Sequence, residues 1–213
     1  MHADSNDASF ATRAEAICRL GAELAARGWT PATSSNFSLR IDQHSAAITR
    51  SGRDKGRLVP DDIMRVTLDG RALPGDTAVP SAEAPLHGQI YRRMPQVEAV
   101  LHTHSRVQTV ASRLFAAAGE LHLQGWELQK AIAGTNSHER TLALPVFANS
   151  QSMAELTRAV DDWVDAGKPL HAYLIAGHGI YTWGSSIDEA RRHLEALEFL
   201  LACELDLRRL GVP

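Results

Sequence analysis

Val97-Glu98-Ala99-Val100-Leu101-His102-Thr103-His104-Ser105 is an apolar run that ends in two histidines one residue apart. It reads as a buried strand. Side chains alternate along a strand, so residues two apart point to the same face. His102 and His104 can therefore reach one ion. Neutral imidazole suits zinc, and a catalytic zinc takes three protein ligands and keeps one position open. Gly177-His178-Gly179 lies between two apolar runs and offers the third, with glycines that permit a tight bend beside a metal. Histidines spaced by one residue are common by chance among ten in a chain. A hydrogen-bonded pair at a strand end is the competing reading.

Working outward, strands alternate with amphipathic helices. A first helix is expected from about Thr12, with Glu15 in a capping box, to Ala26, where Gly28 stops it. Strands follow over 37–41 and 46–49, then a loop at Ser51-Gly52-Arg53-Asp54-Lys55-Gly56. Residues 61–68 suggest a helical turn and a strand. Ser81 is expected to cap a helix from Ala82 to Arg93, closed before Pro95. After the histidine strand come a helix over 105–115, a short helix over 126–133 and a strand over 142–146. Ser152 with Glu155, and Ser186 with Glu189, open two more helices around strands at 171–176 and 179–183. This alternation predicts a layered α/β domain. Residues 1–10 read as a flexible N-terminus and 11–213 as one domain.

Composition sets bounds. The chain has 213 residues, 44% hydrophobic, which suffices for a real core. A net charge of -3, from 22 basic and 25 acidic side chains, lacks the basic footprint of a nucleic-acid binder. No apolar run approaches the ~18 residues of a membrane span. Met1-His2-Ala3-Asp4-Ser5-Asn6-Asp7 has no signal-peptide pattern, and Cys18 and Cys203 lie far apart. Both cysteines read as small buried hydrophobes, and a reducing cytoplasm is the expectation.

Two carboxylates near these elements are candidate acids or bases. Glu83, in Pro80-Ser81-Ala82-Glu83, opens a helix, where a carboxylate often serves only the helix dipole. Glu127, in Trp126-Glu127-Leu128-Gln129-Lys130, is read equally well as a solvated helix charge. Either is a general acid/base if partly buried near the metal. His87, four residues after Glu83, shares its helical face and reads as a packing or supporting residue rather than a ligand. Thr33-Ser34-Ser35-Asn36, and Ser51-Gly52 with Lys55 nearby, have the hydroxyls, turn amides and amine that phosphate uses. Neither cluster matches a nucleotide motif.

In order along the chain, Thr33-Ser34-Ser35-Asn36-Phe37-Ser38, Ile48-Thr49-Arg50-Ser51-Gly52, Pro80-Ser81-Ala82-Glu83, His102-Thr103-His104-Ser105 and Gly177-His178-Gly179 resemble the class II aldolase/adducin family. The resemblance runs from about Ala14 to Leu210. It implies a three-layer α/β/α domain around a largely antiparallel central sheet. It also implies one zinc per subunit on His102, His104 and His178, and a homotetramer with active sites between subunits. Ser35 departs from the family pattern, which has glycine there, and Ser81-Ala82 replaces a serine pair.

Trp126-Glu127-Leu128-Gln129-Lys130-Ala131-Ile132 and His178-Gly179-Ile180-Tyr181-Thr182-Trp183-Gly184 resemble the dehydratase branch of the family, in the methionine salvage pathway. That branch implies dehydration of 5-methylthioribulose 1-phosphate, a small sugar phosphate, with Glu127 as acid/base. Ser35, Asn36, Ser51, Gly52 and Lys130 would hold the phosphate, and Trp126 or Phe115 would wall the methylthio group. Some dehydratases carry cysteine at the position of Glu83, so Glu83 is a relic, a neighbour of the metal, or a second acid/base. The rivals are an aldolase or epimerase acting on a fuculose- or ribulose-type phosphate through Glu83, and a non-catalytic adducin-like head. No nucleic-acid or membrane partner is expected.

Overall fold

A computed structural model describes the backbone of residues 2–211 and the side chains of residues 8–211. Its five α-helices and eight strands run in the order α1 (His2–Ala26), β1 (Asn36–Arg40), β2 (Ser45–Thr49), β3 (Ile63–Thr67), α2 (Ala84–Arg93), β4 (Ala99–Thr103), α3 (Arg106–Leu114), β5 (Glu120–Leu123), β6 (Leu142–Phe147), α4 (Met153–Asp165), β7 (Ala172–Ile175), β8 (Gly179–Gly184) and α5 (Ile187–Arg209).

The strands form one sheet in the order β3-β2-β1-β4-β8-β7-β6-β5. Every pairing is antiparallel except β6 with β7. The central strands β1, β4 and β8 are buried at every position. That requires apolar cover on both faces, and the sequence supplies it by alternation. Phe37, Leu39, Ala99 and Leu101 point to a core built with α1, α3 and α5. Val100, Tyr181 and Trp183 point the other way, to a second core built with α2 and α4. The result is the expected α/β/α layering around a mostly antiparallel sheet.

Several boundaries differ from the sequence reading. The first helix begins at His2, ahead of Thr12, whose hydroxyl turns back to the Ala8 carbonyl at 3.0 Å instead of capping. The side chain of His2 lies outside the described residues. Helix α2 starts after Glu83 rather than at Ala82, because Pro85 fits the first turn, where its missing N–H costs nothing. Ser81 Oγ accepts from the Glu83 amide at 3.3 Å, ahead of the helix proper. Residues 127–131 form a 3-10 turn rather than an α-helix. Ser152 and Ser186 cap as expected, accepting from the amides of Glu155 and Glu189. Cys18 and Cys203 are free and half-buried rather than fully buried.

Candidate metal centre

Strand β4 lies between β1 and β8, with His102 opposite Asn36 on one side and Tyr181 on the other. His104 follows at the strand end, where its amide donates to the Trp29 carbonyl at 3.0 Å. His178 sits in the turn between β7 and β8, after Gly177 at φ +66. The three Nε2 atoms converge: His104 to His102 at 2.7 Å, His178 to His104 at 3.1 Å, and His102 to His178 at 3.4 Å. Donors held 2.0–2.1 Å from a tetrahedral zinc lie about 3.3 Å apart. Glu83 completes the cluster, with Oε2 3.4 Å from His102 Nε2 and Oε1 3.3 Å from His178 Nε2. These four groups can hold a metal ion.

The protonation states suit that role. The Ile180 carbonyl can only accept, so His102 Nδ1, 2.9 Å away, carries the proton and Nε2 presents its lone pair. Burial, reinforced by His178, pushes His102 well below the ordinary imidazole value. Burial and then His102 bring His104 down to about 3. Neutral rings are the form that ligates metal.

The turn after β4 is held rigidly. Ser105 caps α3 by accepting from the Gln108 amide at 3.0 Å, and Gln108 Oε1 accepts from the Ser105 amide at 3.1 Å. Ser105 Oγ and Gln108 Nε2 both donate to Glu198 on α5 at 2.7 Å. Burial raises the Glu198 carboxyl, and these two donors pull it back.

A cavity of about 350 Å³ opens beside the cluster, reaching Glu83, His104 and His178. Its wall includes Thr33, Ser34, Ser35, Asn36, Ser51 and Gly52, so both hydroxyl-rich segments singled out from sequence face the metal centre. Lys55 lines it too, 2% exposed, with its amine donating to the carbonyls of Thr33 at 2.9 Å and Arg53 at 2.6 Å. Burial lowers this amine to about 8, against the pull of Asp54 and Asp62. Ser34 Oγ and Arg50 Nε are buried without a protein partner. Arg50 and Asn149-Ser150-Gln151 line the cavity without having been singled out, although the polar run between β6 and α4 was a usable signal. Its apolar side chains are Ala82, Met153 and Leu156.

Other candidates lie elsewhere. Glu127 and Lys130 are not among the residues lining this cavity. Glu127 is 74% exposed and ion-paired with Lys130 at 2.7 Å and His138 at 3.4 Å. The Lys130 hydrogen bond, and then its charge, lower the Glu127 carboxyl. Within one chain, then, neither residue meets the metal cluster. Their turn is firmly moored: Trp126 Nε1 donates to Glu204 at 2.8 Å, and the Ala133 amide donates to His193 Nε2 at 3.0 Å. Trp126 and Phe115 do not line the cavity either, since Phe115 is buried in the core beside α3. Asn36 has little left for phosphate, because its amide nitrogen donates to Glu83 Oε2 at 2.6 Å and its oxygen faces His87.

Two curated relatives carry the name methylthioribulose-1-phosphate dehydratase. One, from Stenotrophomonas maltophilia, is 60% identical over 188 residues, covering 88% of this chain and 87% of its own. The other, from Xanthomonas campestris pv. campestris, is 56% identical over 191 residues, covering 90% and 87%. The solved structure of L-fuculose-1-phosphate aldolase from Thermus thermophilus matches with a TM-score of 0.71 at 29% identity, covering 94% of this chain and 97% of that one. Residues 15–205 match the family described as Class II Aldolase and Adducin N-terminal domain, and the chain belongs to that family.

Proposed function

We propose that the chain is a zinc-dependent hydro-lyase that converts 5-methylthioribulose 1-phosphate to 5-methylthio-2,3-dioxopentyl phosphate and water. The observation that carries this is the 56–60% identity to relatives named for that dehydration, over nearly the full length of both partners. The aldolase of solved structure, at 29%, is much further away. The retained histidine cluster argues against a non-catalytic head.

His102, His104 and His178 would hold zinc, which supplies Lewis-acid polarisation of the substrate's C2 carbonyl. Ser34, Ser35, Ser51, Gly52 and the Lys55 amine would bind the phosphate, in place of Lys130. Met153 and Leu156 are the larger apolar side chains available to the methylthio group. Glu127 takes the proton from C3. The C4 hydroxyl leaves as water, receiving its proton from Glu127, and the enol tautomerises to the diketone. Glu127 reaches the centre from a neighbouring subunit of a homotetramer. Its exposure and its absence from its own chain's cavity support that arrangement. Glu83 is the acid/base of the rival aldolase reading; its contacts to both Asn36 and the histidines favour a place in the metal cluster.

Two variants test the roles. His102→Ala should lose zinc and turnover together. Glu127→Gln should keep zinc and lose at least about 100-fold in kcat, the scale of a general acid/base. Unimpaired turnover by Glu127→Gln would remove it from the mechanism.

A further inference from the structure

His87 lies one helical turn after Glu83, is 1% exposed, and takes no part in the steps above. It stands in the middle of a buried chain of hydrogen bonds that ends on Glu83. Asn36 Nδ2 donates to Glu83 Oε2 at 2.6 Å. With its nitrogen committed to the carboxylate, Asn36 turns Oδ1 toward His87 Nε2, and an amide oxygen can only accept. Nε2 therefore carries the proton. Nδ1 is left as a lone pair, which accepts the Ser38 hydroxyl at 2.8 Å. Ser38 Oγ in turn accepts the Tyr91 hydroxyl at 2.8 Å. Each donor is fixed by the link before it. Reversing one link sets two donors or two acceptors face to face in a site without solvent.

The geometry points to His87 as a positioning residue of the metal centre: as the neutral Nε2–H tautomer it locks the Asn36 amide, which locks the Glu83 carboxylate against the three histidines. Strand alternation makes this possible. Asn36, Ser38 and Arg40 share one face of β1, turned toward α2, while Phe37 and Leu39 enter the opposite core. Arg40 fastens the far end, with its guanidinium 4.7 Å from the centre of the Tyr91 ring and Nη2 donating to the Tyr91 carbonyl at 2.8 Å. Burial brings His87 down to about 4 against the pull of Glu83, so the ring is neutral at working pH. Its ring also meets Tyr181 edge-on at 5.6 Å, and Tyr181 stacks on His102 at 4.1 Å. A small substituent would disturb that wall, so the informative replacements preserve bulk.

Isotope-labelled histidine in the zinc-loaded wild-type protein gives the tautomer directly by NMR. The proposal predicts a protonated Nε2 and a bare Nδ1 at His87; the opposite tautomer overturns it. His87→Leu keeps volume and removes the donor, and His87→Gln restores an N–H near the Nε2 position. Zinc affinity, read by competition with a chelator, and kcat should each fall about 10- to 100-fold in His87→Leu, with KM little changed, and recover most of the loss in His87→Gln. A folded His87→Leu with wild-type zinc affinity and kcat overturns the proposal. Should His87→Leu not fold, Asn36→Leu decides, since Asn36 is the link through which His87 acts on Glu83. A folded Asn36→Leu with lowered zinc affinity supports the proposal, and one with wild-type zinc affinity and kcat overturns it. The kcat arm rests on the dehydratase reading. The tautomer and zinc arms do not, so failure of the substrate and failure of the relay remain distinguishable.

Discussion

Ser35 occupies left-handed backbone at φ +75, with Ala32 at +52 and Thr33 at +60 just before it. A side chain there costs about 1–2 kcal/mol relative to the right-handed region. The position that departs from the family's glycine is thus the one whose backbone favours glycine. Ser35→Gly should raise stability in urea by about 1 kcal/mol, and a loss of stability would contradict this. His87 carries a pH signature. Its value drops from 6.5 to about 4 on burial, so folding holds it neutral. Its contribution is complete above the unfolded value of 6.5 and is lost as pH falls toward 4, which amounts to about 3 kcal/mol in the metal-free protein. Urea titrations between pH 7 and 4 should show a shallower decline for His87→Leu than for wild type. Equal slopes would contradict the assignment. The convergence of His102, His104 and His178 was legible because period-two alternation and flanking glycines are local signals. The partnership of Asn36 with Glu83 was not, because it joins residues 47 apart through a strand register that no local pattern encodes.

At the scale of elements, the site depends on how closely β8 approaches β4. A Cβ added to Gly179 would lie 2.0 Å from the Thr103 carbonyl oxygen and 3.2 Å from His102 Cε1. Backbone cannot yield as a flexible side chain can, so Gly179→Ala must part β8 from β4, and with them the turn that holds His178 from His102. Zinc affinity should fall by at least about tenfold, and unchanged affinity in a folded variant would contradict the close approach. Long amphipathic helices with Ser caps, and strands with continuous apolar runs, were readable from sequence. Strand β5 was missed, because only Leu121 and Leu123 of its four residues face the core and nothing local distinguishes Glu120-Leu121-His122-Leu123 from a loop. The start of α1 was misplaced because Thr12 and Glu15 have capping spacing inside a helix that had already begun.

At the scale of the whole molecule, the layered sheet was legible, since the seven short strands that could be read, interleaved with amphipathic helices, leave few other ways to bury both faces. The separation of Glu127 from the metal cluster was not, because nothing in the sequence around it tells an exposed carboxylate from one in the cavity. If neighbouring subunits share a site, mixing the inactive variants His102→Ala and Glu127→Gln should regenerate activity, because some sites then combine an intact metal centre with an intact carboxylate. No recovery after verified subunit exchange would place Glu127 elsewhere. Purified zinc-loaded protein should be given 5-methylthioribulose 1-phosphate and its products followed by mass spectrometry. The account predicts loss of one water to give the diketone phosphate, with the carbon chain intact; cleavage of a carbon–carbon bond, or no turnover with zinc bound, would contradict it.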